Sequence, residues 1–185
     1  MPNAYEYISR PHLYLVALVI TMLPAPFLAT IDPKFAIGWT CAAFVLIATL
    51  YRWQIKQELV IAFLFALFVT SYQTYTYTSG NATIGHINLF PLVAWTAGLV
   101  ALGEAYERIR LSHKLIVFSF IYWVLLFAFE YVGYYWFAIR IAADEPALFG
   151  MGIIHGTPFI HLFYLCAGPI YLIVTDYLQS PDALG

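Results

Sequence analysis

Charged residues are scarce in this sequence, which contains 8 Lys and Arg and 10 Asp and Glu among 185 residues. They make up 10% of the chain and hydrophobic residues 63%, whereas a soluble domain is about 25% charged and about 45–50% apolar. So little polar surface cannot cover the apolar side chains in water. The composition therefore excludes a soluble enzyme and a disordered chain. The formal net charge of −2 argues against a nucleic-acid partner, because no basic field is present to hold phosphates.

Cysteine is also rare, and several familiar motifs are missing. Cys41 and Cys166 both lie inside apolar runs, and their spacing fits no metal site or disulfide framework. We expect both to pack as small hydrophobic side chains. No Lys lies in the middle of an apolar run, which excludes a retinal Schiff base. Neither a P-loop nor a GxGxxG fingerprint occurs, which argues against nucleotide chemistry.

Long apolar runs, in contrast, fill most of the chain. A helix needs about 20 apolar residues to cross a bilayer core of about 30 Å. Runs that reach or approach this length occur at residues 13–30, 35–51, 59–77, 87–103, 115–139 and 150–174. The segment Leu59–Phe68 does not alternate apolar and polar residues as barrel strands do. We therefore predict an all-α fold: a polytopic membrane bundle of six transmembrane helices that forms one domain over residues 1–185.

Lys and Arg are distributed unequally between the two sides of such a bundle. With six spans, the termini share one side with the second and fourth loops. That side holds six basic residues: Arg10, Arg52, Lys56, Arg108, Arg110 and Lys114. The other side holds Lys34 and Arg140. Because cytoplasmic loops carry the excess of Lys and Arg, we predict that both termini are cytoplasmic. The chain would then be a multi-pass protein of a bacterial inner or plasma membrane.

Most acidic residues are expected at the ends of spans or in loops. Asp32 and Glu58 lie in the predicted connectors. Glu104 is four residues before Arg108 where the fourth span ends, so these two should form an interfacial ion pair on one helix face. None of these carboxyl groups needs a catalytic explanation.

Glu130 is different because it lies inside the fifth predicted span, past the middle toward the outer face. An ionisable group at that depth costs roughly 2.5–3.5 kcal/mol on insertion scales and by default marks a functional site. Tyr134 follows one helical turn later. The carboxyl group can remain protonated and bond a neighbouring helix, or it can transfer protons in catalysis. The sequence leaves both roles open.

Polar side chains of other spans lie at a similar depth. His155 and His161 fall in the outer half of the sixth span, where Gly152, Gly156 and Pro158 disfavour regular helix. The outer parts of the third to fifth spans contribute Tyr72, Gln73, Asn88, Trp95 and Tyr131. We predict that these residues line one polar pocket in the outer half of the bundle.

Aromatic residues near the outer ends of the spans have a simpler explanation. Tyr75, Tyr77 and Trp136 are expected to form part of the aromatic belt at the membrane–water interface. The remaining aromatic side chains would line the core, or the walls of a site for a flat apolar ligand.

The predicted pocket favours acid/base chemistry on a lipid or isoprenoid-like substrate, as in an isomerase, cyclase or hydratase. The catalytic residues would be Glu130, His155, His161 and Tyr134. Substrate-binding residues would be Gln73, Tyr72, Asn88, Trp95 and Tyr131. This chemistry needs no cofactor or metal, because two titratable groups with different pKa values suffice. The partners would be the bilayer and a hydrophobic small molecule.

Two alternatives remain open on the sequence. One is a membrane subunit that binds one haem b or a metal ion through ligands drawn from His86, His155 and His161. The other is an accessory or assembly subunit of a larger membrane complex, or a homo-oligomer, with no chemistry of its own. Small size and short loops agree with the second alternative.

Overall fold

The computed structural model of the chain describes residues 19, 23–51, 55–72, 75–78, 80–141 and 145–179. The described chain is mostly helical, which confirms the predicted helical fold. The helices are α1 (Pro24–Ile31), α2 (Pro33–Tyr51), α3 (Ile55–Tyr72), α4 (Leu89–Arg108), α5 (Lys114–Tyr135) and α6 (Pro158–Gln179). An antiparallel hairpin of β1 (Thr83–Ile84) and β2 (Ile87–Asn88) comes before α4. A 3-10 turn at Leu148–Gly150 comes before α6.

Three helices are long and apolar enough to cross a membrane: α4, α5, and α6 over Pro158–Leu178. The helices α2 and α3 contain shorter apolar stretches, Pro33–Thr49 and Gln57–Tyr72. Half of the first predicted span lies outside the described residues, which include Val19 and the C-terminal part of the span with α1. On α5 only Phe118 and Tyr122 are buried, so most of this apolar helix is left to contact lipid. These features are compatible with a membrane protein.

Three predicted spans are shorter as helices than as apolar runs. The fifth was expected to extend to residue 139, but α5 ends at Tyr135. The third run was expected to extend to residue 77, but α3 ends at Tyr72. The sixth was expected to start at residue 150, but α6 starts at Pro158. Gly150 and Gly152 (both φ 71°) and Ile154 (φ 54°) take left-handed backbone conformations that no α-helix contains. Proline suits the first helical position because it has no amide N–H to leave unpaired there.

The turn between α1 and α2 is built on Asp32, which is buried rather than exposed in a connector. Its Oδ1 accepts a hydrogen bond from the Lys34 backbone N–H at 2.8 Å, so Asp32 caps the N-terminus of α2. Its Oδ2 lies 3.4 Å from the Lys34 ammonium. That ammonium also donates to the Gly80 carbonyl at 2.5 Å, which ties this turn to the segment before the hairpin.

Helix α6 approaches α5 closely at Gly168, where a Cβ would lie 2.5 Å from the Tyr122 ring. Pro169 follows within α6 and has no N–H to offer the carbonyl four residues earlier, that of Leu165. The Trp123 indole N–H donates to this carbonyl at 2.8 Å. The close approach at Gly168 and the hydrogen bond from Trp123 both join α5 to α6. The Leu165 carbonyl needs this donor, because a backbone carbonyl in lipid must find a partner inside the protein.

The bundle has two hydrophobic cores around α4, which contacts α2, α3, α5 and α6. The first core lies toward the end of α4 and the start of α5. Its residues are Ala62, Leu99, Val100, Leu102, Tyr106, Phe118, Tyr122, Tyr171 and Leu172. The second core lies toward the hairpin and the start of α6, and consists of Val69, Tyr75, Tyr77, Leu148, Ile153, Ile154, Ile160 and Tyr164.

Of the two predictions for acidic residues near the first core, one is confirmed and one is wrong. The predicted pair of Glu104 and Arg108 is confirmed, with an N···O distance of 2.9 Å. The prediction of a loop position for Glu58 is wrong. Glu58 lies in the first turn of α3 and is only 3% exposed, because α3 begins at Ile55 and carries it into the bundle.

Candidate functional site

Glu130 lies near the end of α5 and is half-buried, with its carboxyl group facing α6. The carboxylate is within hydrogen-bonding reach of the Tyr164 hydroxyl on α6. It is also close enough to the His155 ring for a direct electrostatic interaction. Glu130 lies one helical turn before Tyr134, whose ring stacks on that of His155, so these predicted residues lie at the same end of the bundle.

A row of hydrogen-bonding groups leads to this carboxyl group. The Trp95 indole N–H lies within hydrogen-bonding reach of the Tyr75 hydroxyl. Tyr75 donates to the Tyr164 hydroxyl over 3.4 Å, and Tyr164 reaches Glu130. An indole can only donate and an ionised carboxylate can only accept, whereas a phenol does both. The row therefore begins at the indole donor and leads to Glu130, which is its final acceptor when the carboxyl group is ionised.

Tyr75 is held in place by the loop that follows α3. Asn88 is fully buried, and its amide nitrogen donates to the Tyr75 carbonyl and to Asn81 Oδ1, both at 2.8 Å. The Asn88 side-chain oxygen accepts from the Phe90 N–H at 3.1 Å and so caps α4. Both the nitrogen and the oxygen of the Asn88 amide are therefore hydrogen-bonded inside the protein.

The phenols of this loop are buried, which differs from the aromatic belt that the sequence predicted. Tyr75 is 2% exposed and Tyr77 is 8% exposed, whereas Trp136 is 74% exposed, as a belt residue would be. Burial raises the pKa of Tyr75 and of Tyr77 well above that of an ordinary phenol. Both hydroxyls therefore stay protonated and can donate hydrogen bonds throughout the physiological pH range.

His155 lies in the irregular segment before α6 with a defined tautomer. Its Nδ1 lies 2.9 Å from the Glu145 backbone carbonyl, which can only accept, so Nδ1 carries the proton. The Nε2 of the neutral ring is then a proton acceptor. This atom is buried and has no hydrogen-bond partner among the described residues.

Backbone strain accompanies the placement of His155. The preceding residue, Ile154, is buried and has a φ of 54°, which is costly for a β-branched side chain. Its carbonyl accepts hydrogen bonds from the Leu148 N–H at 3.1 Å and from His161 Nε2 at 3.1 Å. Strained residues of this kind persist where the surroundings hold them, and they cluster at functional sites.

The Tyr134 ring contacts both His155 and Arg140. The two rings are stacked with centroids 5.5 Å apart and an interplanar angle of 14°. The Arg140 guanidinium lies 4.8 Å from the centroid of the Tyr134 ring. A cation, an aromatic ring and an imidazole are thus stacked beside Glu130.

The remaining predicted site residues are placed as follows. Trp95 packs edge-on against Tyr164, with ring centroids 4.9 Å apart. His161 directs Nε2 to the Ile154 carbonyl, as described above. Tyr72, Tyr131 and His86 are exposed, and His86 lies in the hairpin turn. Gln73 lies outside the described residues.

Sequence reasoning missed Tyr164, Tyr75 and Tyr122. Tyr122 donates to the Tyr164 backbone carbonyl at 2.6 Å and fixes this part of α6 against α5. The signal for Tyr164 was its position three residues after His161, which places both on one face of a helix and Tyr164 deeper in the span. Tyr75 gave no such signal, because it lies in a loop.

Two further results bear on the site. Within the described part of the chain, no group of three or more His, Cys, Asp and Glu side chains is arranged to hold a metal ion. No family model, curated protein or solved structure matches this chain.

Proposed function

We propose that this chain is a membrane-embedded enzyme that transfers a proton to or from an apolar, lipid or isoprenoid-like substrate at Glu130 and His155. The observation that carries the proposal is the directional row of donors that ends at the Glu130 carboxylate beside the unpartnered Nε2 of His155. The substrate would leave Tyr75 and Tyr164 in place, since Tyr164 holds the Glu130 carboxyl group and Tyr75 holds Tyr164.

The roles of the residues follow from their hydrogen bonds. The Tyr164 hydroxyl can donate a hydrogen bond to Glu130, and Nε2 of His155 offers a lone pair for a proton. A carboxyl and an imidazole held in different surroundings can act as acid and base in one turnover. His161 would orient the loop through the Ile154 carbonyl. Tyr134 would form the aromatic wall beside His155.

Hydrogen-isotope exchange tests this proposal without a known substrate. The purified chain is incubated in D2O with the extracted lipids of the cells that produce it, and carbon-bound deuterium is measured by mass spectrometry. Proton transfer at carbon by the wild type should label one lipid class, and Glu130→Gln should abolish the label. Phe129→Leu, an exposed change one residue away, should retain it. Absence of label with the wild type, or equal label with Glu130→Gln, would contradict the proposal.

A second function has one specific observation in its favour. A histidine that ligates a metal or haem iron usually donates its other ring N–H to a carbonyl or carboxylate. His155 does this with Nδ1 and the Glu145 carbonyl, which leaves a buried Nε2 as a possible axial ligand. The visible absorption spectrum of the purified chain tests this: a Soret band lost in His155→Ala supports a haem subunit, and its absence in the wild type opposes it.

We also propose that the chain crosses the membrane six times, with both termini in the cytoplasm of a bacterium. Support comes from the five apolar helices α2 to α6, from the apolar run at residues 13–30 and from the unequal distribution of Lys and Arg. An accessory subunit of a larger complex would have the same topology. Co-purification with larger subunits at fixed stoichiometry, together with absence of isotope exchange, would favour that role.

A further inference from the structure

Arg140 stands at the edge of the proposed proton-transfer site. Its guanidinium lies 4.8 Å from the centroid of the Tyr134 ring, and that ring stacks on the His155 ring with centroids 5.5 Å apart. Tyr134 follows Glu130 by one turn of α5, so both residues lie on one face of this helix. Arg140 itself is exposed, and its positive charge is therefore open to a ligand that approaches the site from outside the bundle.

The backbone holds Arg140 in this position. Its carbonyl accepts a hydrogen bond from the Thr78 N–H at 3.0 Å. The next residue, Ile141, forms an antiparallel bridge with Tyr77. The segment after α5 is thus attached to the loop after α3. A ligand would have to order only the Arg140 side chain, which keeps the entropic cost of binding low.

The charge of Arg140 is not neutralised within the part of the chain that the structure describes. There its side chain forms neither an ion pair nor a hydrogen bond. Lys34, the other described basic residue of this kind at the hairpin end, lies 3.4 Å from the Asp32 carboxylate and donates to the Gly80 carbonyl. A contact with an aromatic ring uses no oxygen acceptor, so the planar N–H fork of Arg140 can still bind two oxygens of one phosphate or carboxylate.

Exposed aromatic side chains place Arg140 at the level of the membrane surface. Trp136 is 74% exposed and Phe137 is 44% exposed, and both lie within four residues of Arg140. Tryptophan at the end of an apolar helix is typical of the membrane–water interface. An anionic group bound at Arg140 would therefore stand at this interface, while an apolar chain attached to it would extend into the bilayer.

We propose that Arg140 binds a phosphate or carboxylate group of the substrate on which Glu130 and His155 act. The substrate is then an anionic amphiphile with an apolar chain rather than a neutral hydrocarbon. This inference rests on the proposed function and adds a specificity-determining residue to it. Arg140 binds and orients the charged end of the substrate and takes no part in the proton transfer.

Thermal unfolding of the full chain in phosphatidylcholine nanodiscs measures binding without turnover. Decyl phosphate should raise the unfolding temperature in a saturable way, and decanol at the same concentration should not. Arg140→Gln removes the charge-assisted hydrogen bonds and should weaken the apparent affinity for decyl phosphate about tenfold. Arg110→Gln, an exposed change of the same kind at the opposite end of the bundle, is the matched control and should leave it unchanged. Equal stabilisation by decanol, or an unchanged affinity in Arg140→Gln, would overturn the proposal.

Nanodiscs that contain phosphatidylglycerol distinguish a substrate from the surrounding lipid. If this lipid raises the unfolding temperature by itself and abolishes the effect of decyl phosphate, Arg140 binds bulk anionic lipid and the assignment to a substrate is overturned. If decyl phosphate acts equally in both kinds of nanodisc, the assignment is supported.

The deuterium-exchange measurement separates this inference from the proposed function. The lipid class that the wild type labels should carry a phosphate or carboxylate. Arg140→Gln should lose label at low lipid concentration and regain it at saturation, whereas Glu130→Gln should give none at either. Label in a neutral lipid, or equal label in Arg140→Gln at every concentration, would overturn the role of Arg140 and leave proton transfer standing. Absence of label with the wild type would contradict proton transfer, while the thermal measurement would still decide whether Arg140 binds the anion.

Discussion

Gly168 sets how closely α5 and α6 pack. Its substitution therefore tests the packing of these two helices at the scale of one residue. In Gly168→Ala the new Cβ would lie 2.5 Å from the Tyr122 ring, which is buried and held by its bond to the Tyr164 carbonyl. We expect a loss of about 1–3 kcal/mol in the free energy of unfolding. Gly98→Ala is the matched control, because nothing lies within 4 Å of its Cβ position. Unfolding in mixed detergent micelles measures both, and equal effects would contradict the packing.

Tyr77 should make stability depend on alkaline pH. Burial raises its pKa, so above a pH of about 10 the folded state keeps a proton that the unfolded state loses. The free energy of unfolding should therefore fall as pH rises above that value, by up to about 1.4 kcal/mol per pH unit from this residue. Tyr77→Phe should make the decline shallower. Parallel pH curves for wild type and Tyr77→Phe would argue against a buried phenol.

Single residues differ in how far the sequence reveals their role. Glu130 and His155 stand out because charge and imidazole are rare in apolar runs, and the structure places them together. Tyr75 and Tyr164 do not stand out among fifteen tyrosines, since a tyrosine suits a core, an interface or a hydrogen-bonded row equally well. Which tyrosine reaches the carboxyl group depends on how the helices pack, and the amino-acid composition carries no information about that packing.

At the scale of elements, α5 and α6 are joined by a bond that Pro169 makes necessary. Trp123→Phe removes the donor to the Leu165 carbonyl and should cost about 1 kcal/mol of unfolding free energy. In a Pro169→Ala background the restored backbone N–H satisfies that carbonyl, so the same change should cost less. A double-mutant cycle measures this difference. Additive effects of the two substitutions would show that Trp123 and Pro169 are not coupled through Leu165.

Element ends show what apolar runs cannot predict. The predicted third run extends to residue 77 and the predicted sixth run includes residues 150–157, yet α3 ends at Tyr72 and α6 begins at Pro158. Apolar side chains satisfy the same burial requirement in a folded loop as in a helix, and the second core is built largely from such loops. The glycines and proline before α6 did predict irregular backbone there, because they act on backbone conformation directly.

At the scale of the whole molecule, the two ends of the bundle are chemically different. The end near the hairpin holds the Glu130 row, with its phenols and imidazole, and the buried carboxyl group of Asp32. The opposite end holds the carboxyl groups of Glu58, Glu104, Glu107 and Asp176. Between them lie side chains of the two hydrophobic cores that pack around α4. Proton transfer at the Glu130 row can therefore be tested without substitutions at the opposite end of the bundle.

The direction in which α4 crosses the membrane is the last prediction. Thr83 in the hairpin and Ser112 in the loop after α4 are both exposed and lie at opposite ends of this helix. Because Arg108, Arg110 and Lys114 flank Ser112, we expect that loop in the cytoplasm. In a Cys41→Ala, Cys166→Ala background, a membrane-impermeant maleimide should label Thr83→Cys in intact cells and reach Ser112→Cys only after lysis. Labelling of both in intact cells would show that α4 does not cross the membrane, and the reverse pattern would show the opposite orientation.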